Sequence, residues 1–122
     1  RCLLAGGAAL VDPAAFARMA AGARGDVRRA VRPAAIPALV NDVEFWPGME
    51  KTWGLSFLIN KEATPEGRSA GSLAWAGLSN LYYWVDIKRG ITGVFASQML
   101  PFFDSGAYGA FRAFEKAVYE AA

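Results

Sequence analysis

The chain has 122 residues, a net charge of +2, one cysteine, no histidine, 54% apolar residues and a mean hydropathy of +0.20. That length suits one domain able to bury a core, and so small a charge argues against nucleic acid or an anionic membrane as partner. A lone Cys2 excludes an internal disulfide, and the missing histidine removes every Ser-His-Asp or Cys-His scheme and disfavours a zinc site.

In chain order, Arg1 to Ala5 reads as the last turn of a helix stopped by Gly6-Gly7. Asp12-Pro13 starts a short helix: the carboxylate can cap free amides, and proline fits the first turn. Phe16 and Met19 share a face of it, and Gly22 ends it. Residues 25–48 carry Pro33, Pro37 and Pro47 without a sustained period and read as a long loop packed by Ile36, Leu39, Val40, Phe45 and Trp46. The basic run Arg24, Arg28, Arg29 and Arg32 within this region has no aromatic partners and reads as solvated.

Trp53 to Ile59 alternates, with Trp53, Leu55, Phe57 and Ile59 on one side, which predicts one strand. Asn60 to Arg68 is a polar turn in which Glu62 and Glu66 are expected to be solvated. Asn80 to Val85 and Ile91 to Met99 are strands joined by the hairpin loop Asp86 to Gly90. Leu81, Tyr83 and Val85 on one face, with Tyr82 and Trp84 on the other, require cover on both sides. Pro101 breaks the last strand, and Asp104 or Ser105 caps a final helix. Ala107, Phe111, Phe114, Val118 and Ala121 form its apolar stripe, while Arg112, Glu115, Lys116 and Glu120 take the wet face. The expected fold class is α/β (α+β): an antiparallel sheet with flanking helices, the last lying on one sheet face. The longest uncharged stretch, Ser69 to Val85, falls short of the roughly 20 apolar residues a membrane span needs, and the short apolar run in Arg-Cys-Leu-Leu-Ala-Gly-Gly does not suit a signal peptide.

Three motifs carry a resemblance. Phe45-Trp46-Pro47-Gly48-Met49, Trp53-Gly54-Leu55-Ser56-Phe57-Leu58-Ile59-Asn60, and Gly67-Arg68-Ser69-Ala70-Gly71-Ser72-Leu73-Ala74-Trp75-Ala76-Gly77 are similar to segments of the β-lactamase-related serine hydrolases. This family holds class C β-lactamases, D-Ala-D-Ala peptidases and the family VIII carboxylesterases, and the esterases match best. Tyr82-Tyr83-Trp84-Val85-Asp86 and Gln98-Met99-Leu100-Pro101-Phe102 add to it. The likeness covers nearly all of residues 1–122 but only about the last third of a family member. It therefore implies the C-terminal portion of one β-lactamase/transpeptidase-like domain, without its N-terminal portion.

The family's third motif is Lys-Thr-Gly or His-Thr-Gly on a strand edging the site. Here Trp75-Ala76-Gly77 stands in that place, similar to the Trp-Gly-Gly or Trp-Ala-Gly of the esterases. An indole gives an apolar wall and one N–H donor where lysine would greet a carboxylate, which suits a neutral ester. The resemblance implies that Trp75, Ala76 and Gly77 line the substrate site, with the Leu78 backbone N–H as an oxyanion donor. Gly77 leaves room for close approach. It implies no metal and no cofactor, a small-molecule ester substrate, and a cytoplasmic or periplasmic home.

The family nucleophile lies in Ser-x-x-Lys. None of Ser56, Ser69, Ser72, Ser79, Ser97 and Ser105 has a lysine three residues on, and no tyrosine fits the second motif, Tyr-x-Asn or Tyr-x-Ser. Ser69 and Ser72, lacking a base, read as loop hydroxyls, and Tyr82-Tyr83-Trp84 as core. The expectation is thus a serine hydrolase whose nucleophile is supplied from elsewhere, the chain alone being inactive and prone to self-association or to pairing with the missing segment. A β-lactamase or D-Ala-D-Ala peptidase portion and a non-catalytic interaction module are the alternatives.

Overall fold

Aromatic and β-branched residues concentrate in the second half of the chain, and there they build a five-stranded antiparallel meander. A computed structural model describes residues 3–7, 10–23 and 33–122. Its strands are β1 (Lys51–Trp53), β2 (Leu58–Asn60), β3 (Leu73–Gly77), β4 (Leu81–Asp86) and β5 (Ile91–Phe95), each paired with its sequence neighbour in the order β1-β2-β3-β4-β5. Two helices flank them, α1 (Pro13–Ala20) and α2 (Ser105–Ala121). This is the expected antiparallel sheet with helices on its faces.

Both caps form as their residues dictate. The Asp12 carboxylate accepts from the Ala14 and Ala15 amides at 2.9 and 3.1 Å, and Asp104 accepts from the Ala107 amide at 2.9 Å. On one sheet face α2 seals a core of Tyr82, Trp84, Phe111 and Tyr119, with Leu58, Ala74 and Trp46 beneath. Phe111 stacks on Tyr82 at 4.6 Å, a contact type worth about 0.5–1.5 kcal/mol beyond area burial. On the other face Phe16 of α1 packs with Phe57, Ile59, Leu73 and Val85. Tyr82 and Trp84 are core, as the sequence reading has it. Beyond α1 this second face thins: Val94 on β5 is 60% exposed.

Several expectations need correcting. Trp53 to Ile59 is not one strand but a hairpin, because the Gly54 amide donates to the Phe57 carbonyl at 2.9 Å and turns the chain. Trp53 faces Leu58 across it, and Leu55 sits exposed at its tip. The alternation was real in residue type but ran across a turn. Residues 3–7 form turns in which the Gly6 amide donates to the Leu3 carbonyl at 3.2 Å, and Gly6 and Gly7 take the left-handed conformation at φ 68° and 86°. Residues 1–2 of that segment lie outside the described residues, as do the basic run Arg24 to Arg32 and part of the 25–48 loop. In the described part of the loop Trp46 is buried as expected, but Ile36 and Leu39 are exposed. The last strand stops at Phe95, well before Met99.

The largest correction lies in α2. Its buried residues are Ala107, Phe111, Glu115 and Tyr119, four apart. Phe114 and Ala121 are exposed, and Val118 is only half-buried. Glu115, expected in water, is fully buried because Arg68 waits for it beneath the helix: Nε meets Oε1 and Nη2 meets Oε2, each at 2.5 Å. A bidentate guanidinium partner compensates the carboxylate for leaving water, so this residue can face inward. Glu66, also expected in water, is buried and accepts from Arg112 Nε. The Lys116–Glu120 pair stands in solvent at 3.6 Å, as the spacing predicts.

Candidate active site

The site expected from the sequence lies at the end of β3. Strand β2 reaches only as far as Leu73 and Ala74, through Ile59 and Leu58. Trp75, Ala76 and Gly77 therefore have β4 on one side, opposite Tyr83, Tyr82 and Leu81, and no strand on the other. Central at its start, β3 becomes an edge for these three residues.

The Trp75 indole is half-buried, edge-on to Trp53 at 4.3 Å and tilted against Phe45 at 5.8 Å. Ala76 and Gly77 are half-buried. Leu78, just past the strand, is 55% exposed, and its amide makes no hydrogen bond among the described residues. A methyl added at Gly77 would meet only Leu81, at ordinary contact distances from 3.5 Å. The chain's own packing does not demand glycine there.

Beside Trp75 runs an apolar cleft walled by Phe45, Leu58, Ala74, Trp75, Tyr82 and Phe111, with Arg68 as its polar member. The Arg68 guanidinium is caged by rings, 4.9 Å from Trp46 and 5.3 Å from Trp84, and Glu115 neutralises it. Desolvation by burial outweighs the Arg68 attraction and holds the Glu115 carboxyl above its ordinary range. Burial raises the Tyr82 phenol, with Tyr108 and Asp104 adding to it, and pushes Tyr108 up to about 12. Both stay protonated at neutral pH, and Tyr82 donates to Asn80 Oδ1.

Three buried polar groups escaped the sequence reading. Lys51 Nζ is held by the Trp46 carbonyl at 3.0 Å and the Met49 carbonyl at 3.4 Å, and burial lowers its pKa. Asp86 is pushed up by burial, but hydrogen bonds from the Ser69 and Arg89 amides and the Tyr119 hydroxyl hold it below its usual value. Asn80 bonds four different groups, on Tyr82, Met99, Pro101 and Asp104. A strand or helix pattern shows none of these, since each partner is distant in sequence. The fourfold spacing Ala107, Phe111, Glu115, Tyr119 was the one signal that could have placed Glu115 inward.

The Ser69 hydroxyl hydrogen-bonds the buried Asp86 carboxylate, which the Ser69 and Arg89 amides and the Tyr119 hydroxyl also hold. Ser72 Oγ donates to the Ser69 carbonyl at 2.7 Å and Ser97 Oγ to the Ser79 carbonyl at 2.8 Å, both structural bonds. Among the described residues no group of three or more His, Cys, Asp or Glu side chains could hold a metal ion.

No protein-family model and no curated protein matches the chain. Solved structures do. The unliganded simvastatin synthase (LovD) from Aspergillus terreus matches over 97% of this chain and 31% of its own length, at 22% identity and TM-score 0.73. The LovD9 mutant of that synthase matches over 98% and 32%, at 22% identity and TM-score 0.74. A selenomethionyl derivative aligns more narrowly, over 59% and 19%, at 30% identity and TM-score 0.56. The chain thus spans about a third of the length of the first two of these structures and shares the fold of that part of them, an antiparallel sheet with flanking helices.

Proposed function

We propose that this chain forms the oxyanion-side wall of a serine hydrolase or acyltransferase site for small esters, acting with a nucleophile carried outside these residues. The observation that carries this reading is the amide of the exposed residue Leu78, which has no hydrogen-bond partner among the described residues and follows a strand end that β2 leaves unpaired on one side. An ester carbonyl lying along that open edge would pass Gly77 closely and point its oxygen at the amide. Trp75 would hold the acyl group against an apolar face. As the tetrahedral intermediate forms, the carbonyl oxygen gains negative charge, and one such donor is worth about 3–4 kcal/mol of barrier. The fold likeness to a synthase that is an acyltransferase supports acyl transfer beside hydrolysis.

The indole disfavours an anionic substrate. It offers one N–H where a lysine would offer a full charge, so a β-lactam or peptide carboxylate finds no counter-ion on this strand. The open β5 side of the sheet, with Val94 exposed, suits cover by the remainder of such a domain or by a second copy.

The test uses a fluorophosphonate probe and a p-nitrophenyl ester. The purified 122-residue chain is expected to stay unlabelled and silent, while a protein joining it to a Ser-x-x-Lys segment is labelled and turns the ester over. Labelling of the 122-residue chain overturns the placement of the nucleophile. Silence of the longer protein overturns the hydrolase reading.

A further inference from the structure

Asn80 is fully buried and stands in the left-handed region at φ 57°, where asparagine is among the few side-chain-bearing residues at ease. Its amide uses every bond it can make. Nδ2 donates to the Met99 and Pro101 carbonyls, both at 2.9 Å. Oδ1 accepts from the Tyr82 hydroxyl at 2.8 Å and from the Asp104 amide at 3.1 Å. These partners lie on β4, on the segment after β5 and at the cap of α2. The main chain beside it is tied as well, since Ser97 Oγ donates to the Ser79 carbonyl at 2.8 Å and reaches the Asn80 carbonyl at 3.2 Å.

All of these bonds clamp the turn between β3 and β4. None goes to Leu78, whose own amide is left open. The direction of that N–H is therefore set by its neighbours: Gly77, paired with Leu81 in the ladder, and the Asn80 junction two residues on. We infer that Asn80 is a positioning residue, holding rigid the turn that aims the Leu78 amide at an acyl oxygen. The inference rests on the reading of the site above and adds a residue to it. A donor with no bond of its own keeps a fixed aim only if the backbone on both sides is held, and a misplacement of about 1 Å can cost about a hundredfold in rate.

Asn80→Gly removes the side-chain bonds without straining the left-handed backbone. Asn80→Asp is at ease in the same conformation but unable to donate to the Met99 and Pro101 carbonyls. It should give the same direction of change, and it separates the lost bonds from the backbone freedom glycine adds. In the 122-residue chain the backbone order parameter of Leu78 is expected to fall from about 0.85 to below about 0.6, with Trp84 and Val94 in the β4–β5 ladder unchanged. Tyr119→Phe, which removes a buried hydroxyl far from the turn, should leave Leu78 untouched. Ser97→Ala, which cuts one tie and spares the junction, should give a smaller fall and serves if Asn80→Gly does not fold. In the longer, nucleophile-bearing protein Asn80→Gly should lower kcat about tenfold to a hundredfold, with KM within about twofold. An unchanged Leu78 in the folded variants, an equal loss in Tyr119→Phe, or a rise in KM with kcat intact overturns the inference. Failure of the unaltered longer protein to turn over overturns the site reading instead, and it is read on a different sample.

Discussion

Glu115→Ala should destabilise the chain by about 3–5 kcal/mol, because it strands the Arg68 guanidinium in a dry aromatic cage. Both side chains are 1% exposed and bonded through two parallel contacts. Water cannot replace the lost carboxylate without opening α2 from the sheet, where Phe111, Tyr82 and Trp84 interlock. The double variant Arg68→Met, Glu115→Leu removes both charges and should recover most of the loss or exceed the parent. Guanidinium denaturation measures both. A midpoint shift equivalent to under about 1 kcal/mol for Glu115→Ala, at constant slope, would show that the pair is reached by solvent.

Gly93→Ala should cost about 1–3 kcal/mol, the range for overpacking a filled core. A methyl there would lie 2.0 Å from Trp84 Cη2 and 2.4 Å from both Cζ2 and Cζ3. The indole cannot easily yield. It is fully buried, donates Nε1–H to the Tyr119 hydroxyl at 3.1 Å and abuts Phe114 at 5.8 Å. Combining the change with Trp84→Leu should cost clearly less than the sum of the two singles, since one partner to the clash is gone. Thermal unfolding of the four proteins reads this out, and strict additivity would refute the crowding.

Local chemistry made much of this legible from sequence. Asp12-Pro13 and Asp104 announced both helix starts, and the aromatic run Tyr82 to Trp84 announced a strand covered on both faces. Errors arose where one pattern had two physical readings. Trp53, Leu55, Phe57 and Ile59 alternate whether the chain runs straight or doubles back, and only the Gly54–Phe57 bond decides. In α2, Phe114 looks as fit for the core as Phe111, yet a carboxylate goes inside because its partner comes from a loop 47 residues away. The candidate site divides the same way. Trp75, Ala76 and Gly77 were visible as a motif, and their edge position depends on where β2 ends. Asn80 was invisible, because its worth lies wholly in partners that only the fold brings near.

The Arg68–Glu115 pair also settles a choice that oily residues leave open. A helix carrying Phe111, Phe114, Val118 and Tyr119 presents two greasy ridges of similar quality, and rolling or sliding by a turn, about 5.4 Å, would exchange one for the other at little hydrophobic penalty. Charge breaks the tie. Any other seating leaves a cation without its anion in a waterless place, so α2 can dock in one phase only, and a single electrostatic key orders an aromatic interior that would otherwise tolerate several arrangements.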